Sequence, residues 1–113
     1  MRWLFRDVVN DVRQNCYLVF GPRDRLMIQH TAIVNNAQFN MSSGSITIDE
    51  YVFFGHNVTL LTGRHDLTKF DRERQQGIPS SGCNIVVRRG AWIASNALVI
   101  GPCEIGEHSV VAA

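Results

Sequence analysis

The chain has 113 residues, a formal net charge of +1, and a composition that is 45% hydrophobic and 19% charged. That length suits one domain, and the near-neutral charge gives no bulk electrostatic case for nucleic acid or an anionic membrane. No apolar run approaches the roughly 20 residues that span a bilayer. The three cysteines (Cys16, Cys83, Cys103) form no CxxC pair and are odd in number, so a reducing, cytoplasmic protein without disulfides or structural zinc is expected.

Residues 1–15, MRWLFRDVVNDVRQN, set Trp3, Leu4, Phe5, Val8, Val9 and Val12 near helical spacing. This predicts a short amphipathic helix, interrupted by charges and without the core of a signal peptide. Its expected role is to cap the first coil of a repeat domain. Cys16 to Phe20 reads as a short strand, and GPRDR (21–25) as a turn. Residues 1–25 thus form an N-terminal helix and cap ahead of the repeats at 26–113.

The repeats have a period of six. IQHTAI (28–33) and VNNAQF (34–39) open the frame, the second poorly, because Gln38 falls at an inward position. After the irregular NMSSGS (40–45), the frame resumes in IDEYVF (48–53), FGHNVT (54–59) and LLTGRH (60–65). It closes in VRRGAW, IASNAL, VIGPCE, IGEHSV and the stub VAA (87–113). In this last run the first position is aliphatic (Val87, Ile93, Val99, Ile105, Val111) and the fifth is small (Ala91, Ala97, Cys103, Ser109). Val52 and Val58 take the fifth position upstream. A fixed short period of this kind predicts an all-β parallel β-helix, in which each repeat needs its neighbours to bury its apolar face. Handedness does not follow from the period, since crossovers between parallel strands are ordinarily right-handed. The chain stops inside a hexad at Ala113, so a partner covering that end, or descent from something longer, is expected.

Leu60 and Val87 are twenty-seven positions apart, which is not a multiple of six. The polar segment 64–84 is therefore an excursion loop that leaves the helix and returns. Long loops in compact domains are functional or disordered, and this one opens on His65 and Asp66, which favours function. Lys69, Asp71, Arg72 and Arg74 make it strongly charged. They are either a solvated face or a source of arginine for an acceptor's carboxylate or phosphate, or for a neighbouring subunit.

FFGHNVTLLTGRHD, followed by the excursion and then by VVRRGAWIASNALVIGPCEIGEHSVVAA, resembles the hexapeptide-repeat acyltransferases. The nearest branch is that of the galactoside, maltose and polysaccharide O-acetyltransferases, and the likeness covers roughly 26–113. The resemblance implies a left-handed β-helix, assembled as a homotrimer. It implies transfer of an acetyl group from acetyl-CoA to a sugar or polysaccharide acceptor, without a metal. It also implies an active site in the groove between two subunits. His65 matches the catalytic His, Trp92 and Ser95 match residues lining the coenzyme A groove, and Ala113 matches a backbone contact to the pantetheine arm. Asn35 matches an acceptor-contacting Asn, with Asn40 as the competing candidate.

Acyl transfer needs a base, because a neutral hydroxyl is a poor nucleophile, and an imidazole with a pKa near 6.5 suits that task. His65 would take the hydroxyl proton in a direct transfer. No Ser or Cys sits in a nucleophile motif such as GxSxG. Outside the resemblance, His65 reads as a polar loop residue with no role. Asp66 is assigned to the acceptor site, where it could orient the imidazole, against a plain role in a turn. Trp92 faces outward and serves the coenzyme groove, a subunit interface, or both. Ser95 is otherwise a turn residue. Arg88 and Arg89 either meet coenzyme phosphates or decorate the solvent face. His30, His56 and His108 read as surface residues and not as metal ligands. In VNNAQFN, Asn36 is expected in a corner ladder. The alternative to an enzyme is a non-catalytic or truncated β-helix that serves as a structural or trimerisation module.

Overall fold

In the regular hexads the first residue points inward, the fourth turns the chain, and the fifth points inward again. Tyr51, Asn57, Gly90, Asn96 and His108 occupy that fourth position, with φ of 59°, 60°, 72°, 65° and 56°. The left-handed conformation swings the chain out of one strand and into the next, and Asn and Gly adopt it at least cost. The fifth residue then fills a tight corner: Val52, Val58 and Ala91 are fully buried and Ala97 nearly so.

The computed structural model describes the backbone of residues 2–112 and the side chains of residues 5–11 and 15–112. A helix α1 (Arg2–Asn15) leads into β1 (Leu18–Phe20), a 3-10 turn (Arg23–Arg25), β2 (Leu26–Ile28), β3 (Gln38–Asn40) and β4 (Ile46–Ile48). Next come β5 (Phe53–Phe54), β6 (Thr59–Leu61) and helix α2 (Asp71–Gln76). The chain ends in β7 (Ile85–Val87), β8 (Trp92–Ile93), β9 (Leu98–Ile100), β10 (Cys103–Ile105) and β11 (Val110–Val111). Three sheets result, ordered β1-β3-β6-β9, β2-β4-β7-β10 and β5-β8-β11. Every pairing is parallel, and Ile33 extends the third sheet by a bridge to Phe53. The protein is thus mostly strand in parallel sheets, and the chain visits the three in fixed rotation, a path compatible with the expected β-helix.

The register records where the repeat is perfect. Ile85 faces Cys103, eighteen positions on, which is three hexads. Ile46 faces Ile85 and Thr59 faces Leu98, each thirty-nine positions on. The surplus of twenty-one is the length of the excursion at 64–84.

The core lies between the sheets. Phe39, Met41, Ile46, Ile48, Leu60, Ile85 and Ile93 are fully buried, each worth about 1.5–3 kcal/mol in apolar area removed from water. Phe39 packs at 6.2 Å from Phe54 and meets Tyr17 edge-on at 5.6 Å.

Two expectations change. Gln38 is exposed and its neighbour Phe39 is buried. The corner before β3 turns on Asn35, with φ of 48°, two positions earlier in its hexad than elsewhere. It is one residue short, so Ala37 takes the inward corner place and the following side chains exchange faces. The excursion is not all loop, since α2 occupies six of its residues. Helix α1 forms as expected, with Phe5, Val8 and Val9 exposed; the side chains of Trp3, Leu4 and Val12 lie outside those described.

Candidate functional site

The chain leaves the coil along a corner that is itself tightly bonded. Thr62, almost wholly buried, donates through Oγ1 to the carbonyl of Asn40 (2.7 Å) and accepts from the N–H of Ser43 (3.1 Å). The N–H of Gly63 donates to Asn40 Oδ1 (3.2 Å), and that of Arg64 to Ser43 Oγ (3.3 Å). The backbone is therefore fixed up to the residue before His65.

His65 Nδ1 lies 2.7 Å from the carbonyl oxygen of Arg74 in α2. A carbonyl only accepts, so Nδ1 carries the proton and, in the neutral ring, Nε2 keeps its lone pair. That is the tautomer a general base needs. The excursion holds its own shape around this contact. The N–H of Asp66 donates to Gly77 O (2.9 Å). The Arg74 guanidinium donates to Lys69 O (2.7 Å) and Leu67 O (3.3 Å) while lying over the Phe70 ring at 5.0 Å. Arg25 ties the returning limb to the coil, donating to Ser80 O (2.8 Å) and Met41 O (3.2 Å).

Two grooves meet at His65. One, of about 250 Å³, is walled by Asn40, Ser42, Leu61, Arg64 and Ile78. The other, of about 500 Å³, runs past Leu67, Asp71, Arg74 and Gln75.

The remaining sequence candidates separate around this point. Asp66 does not orient the imidazole; its Oδ1 accepts from the N–H (2.9 Å) and the hydroxyl (2.6 Å) of Thr68. Those two bonds hold its carboxyl below the ordinary 3.8, with smaller help from Lys69 and Arg64 against some desolvation. Asn35 is at a different corner, where its Nδ2 donates to Phe54 O (2.9 Å). Asn40, the competitor, lines the His65 groove. Its Oδ1 is taken by the N–H groups of Ser42 (3.0 Å) and Gly63 (3.2 Å), which leaves Nδ2 without a partner among the described residues. Asn36 forms the expected ladder, exchanging 2.8 Å bonds with the side chain and the N–H of Asn57.

Trp92 is exposed on β8 and lies flat on Phe53, with ring centres 5.9 Å apart and planes 7° apart. Ser95 closes the next corner, its Oγ accepting from the N–H of His56 (2.9 Å). Ala113 lies outside the described residues. His65 leaves the corner between the first and second sheets, whereas Trp92 and Ser95 belong to the third sheet and its corner with the first. One copy of the chain does not bring the two sets together. Arg88 pairs with Glu104 (2.7 Å) and more distantly with Asp49 (3.9 Å), and Arg89 lies over the Tyr51 ring at 4.9 Å. Among the described residues, no three His, Cys, Asp or Glu side chains gather as a metal site. Nor is any helix there long and apolar enough to cross a membrane.

Sequence reasoning missed the Arg74 carbonyl, Arg64, Ser42 and Ile78. The helix-forming run DRERQQ (71–76) was the available signal for a helix that returns a carbonyl to His65. No family model, curated protein or solved structure matches the chain.

Proposed function

We propose that this protein is an acyltransferase, moving an acetyl group from acetyl-CoA to a hydroxyl of a sugar or polysaccharide acceptor, with His65 as the general base. The observation that carries the reading is the His65 imidazole, its Nδ1–H spent on the Arg74 carbonyl and its Nε2 without a partner among the described residues, on a side chain that lines a groove of about 250 Å³. Nε2 takes the acceptor's hydroxyl proton as the oxygen bonds to the thioester carbon. As the C–S bond breaks, the same proton passes to the departing thiolate. Such acid–base assistance is worth about 10²–10⁴-fold.

A left-handed parallel β-helix, a homotrimer and a cytoplasmic location belong to the same reading. Two features support assembly. An apolar column of Ile33, Phe53, Trp92 and Val110, each more than two-fifths exposed, runs down the third sheet. Trp92 and Ser95, and with them Ala113, would line the donor groove only if a second copy carried them to His65. The Phe53–Trp92 platform suits the apolar part of a pantetheine arm.

The test is release of the coenzyme A thiol from acetyl-CoA, measured against a panel of sugars, with mass spectrometry of the acceptor. Acceptor-dependent release with one added acetyl group is expected. No release with any acceptor, together with no acetyl-CoA binding by titration, would leave a structural β-helix in its place.

A further inference from the structure

The excursion is rich in cations, and the structure sorts them. Arg74 spends its guanidinium on two backbone carbonyls. Lys69 and Arg72 line a separate hollow of about 470 Å³ whose walls do not include His65. Arg25 is tied to Met41 and Ser80, Arg23 to the Tyr17 hydroxyl, and Arg88 to Glu104. Arg64 differs. Its N–H is fixed on Ser43, but its exposed guanidinium makes no hydrogen bond or ion pair with any described residue. It borders the groove that holds His65.

The rest of that groove is poor in acceptors. Asn40 offers Nδ2, because its Oδ1 is already bonded twice. Ser42 offers a hydroxyl, Leu61 and Ile78 are apolar, and no carboxylate forms part of the wall. The nearest acid in sequence, Asp66, directs Oδ1 to Thr68 and makes no ion pair with Arg64, acting on it only at longer range. At about 250 Å³ the space falls below the ~300–1,000 Å³ of drug-sized sites, which suits a single ring.

We propose that Arg64 selects the acceptor, binding a carboxylate or phosphate carried on a single sugar ring while His65 takes the proton from a hydroxyl of that ring. A guanidinium matches either anion in a two-pronged geometry that a neutral sugar cannot use. The natural acceptor is then an acidic sugar, a uronate or a sugar phosphate. This rests on the acyltransferase reading of the same groove.

The experiment compares methyl glucuronide, glucosyl phosphate and methyl glucoside, each by direct titration and by acetyl transfer. The proteins are wild type, Arg64→Gln and Arg64→Lys, matched for urea midpoint. One or both anionic sugars should bind about 10- to 100-fold more tightly than the neutral one, as a charge-assisted pair contributes. The anion favoured identifies the source. Arg64→Gln should abolish that preference by weakening the anionic sugars far more than methyl glucoside, and Arg64→Lys should restore part of it. Equal binding of all three sugars by wild type, or an equal loss for all three in Arg64→Gln, would overturn the assignment. If nothing is acetylated but the anion preference persists and depends on Arg64, the groove assignment stands and the acyltransferase reading falls.

Discussion

Replacing Gly55 with Ala tests how closely successive coils are stacked. Gly55 lies in the corner between β5 and β6, directly against the corresponding corner one coil on. A β-carbon there would meet the backbone N of Ser95 at 2.5 Å and its Cα at 2.8 Å, and would also strike Oγ. Its φ is outside the left-handed range, so Ala meets no backbone penalty and would gain about 0.4–1 kcal/mol from a less flexible unfolded chain. The overlap outweighs that gain. Ser95 cannot retreat without stretching two bonds between the corners, Gly55 N–H to Ile93 O (2.8 Å) and Asn96 N–H to His56 O (2.9 Å). Overpacking against fixed backbone costs about 1–3 kcal/mol or more, so a net loss of about 2 kcal/mol is expected.

Urea unfolding at one fixed protein concentration reads this as a midpoint lowered by roughly 1–2 M. Gly55→Ala combined with Ser95→Gly relieves only the Oγ overlap and gives up the bond from the His56 N–H, so the loss should persist. Gly82→Ala is the control. Nothing lies within 4 Å of its added carbon, but φ is +97°, so it should cost about 1–2 kcal/mol from strain alone. A Gly55→Ala midpoint within error of wild type, or full rescue by Ser95→Gly, would refute the stacking.

Four further outcomes are expected. Thr68→Val removes the hydroxyl that does most to depress the Asp66 carboxyl, so its carbon-13 titration should move up toward 3.8. A depressed carboxyl stabilises above its unfolded pKa and loses that contribution as pH falls through the folded value, so the variant's deficit should be present at neutral pH and vanish in acid. Arg25→Met frees the returning limb at Ser80; an exposed charge-assisted bond is worth about 1 kcal/mol, so amide exchange and proteolysis around 78–82 should rise about fivefold, and unchanged exchange would count against the clamp. Asn35→Ala should cost about 1–2 kcal/mol through its left-handed φ and its bond to Phe54 with little effect on turnover per folded molecule. Asn40→Ala should raise the acceptor KM; the reverse pattern would return the acceptor role to Asn35.

The coil was legible because its chemistry repeats. Aliphatic first and small fifth positions are forced by a narrow interior, and Val52, Val58, Ala91 and Ala97 are buried as that pattern requires. The pattern failed at Gln38 because one corner is shortened, and hydropathy does not register a missing turn residue when its neighbours are Asn and Ala. His65 was visible as the break in the period. Its orientation was not, because the partner is a backbone carbonyl, which carries no residue identity, nine positions away. Arg64 was hidden among other arginines until the bonds of Arg74 and Arg25 left it as the cation on the His65 groove with no hydrogen bond or ion pair to a described residue. Asp66 was misleading for a local reason: a carboxylate two residues before Thr satisfies itself in a turn before it can reach the preceding ring.

The decisive measurement is acetyl transfer by His65→Ala beside wild type, with acetyl-CoA affinity and urea midpoint determined on both. His65 is exposed and bonds through one ring nitrogen, so the variant should fold and bind acetyl-CoA nearly as wild type does. Its turnover should fall by about 10²–10⁴-fold, the contribution of a positioned base. Transfer at the wild-type rate by a folded His65→Ala protein would contradict the mechanism.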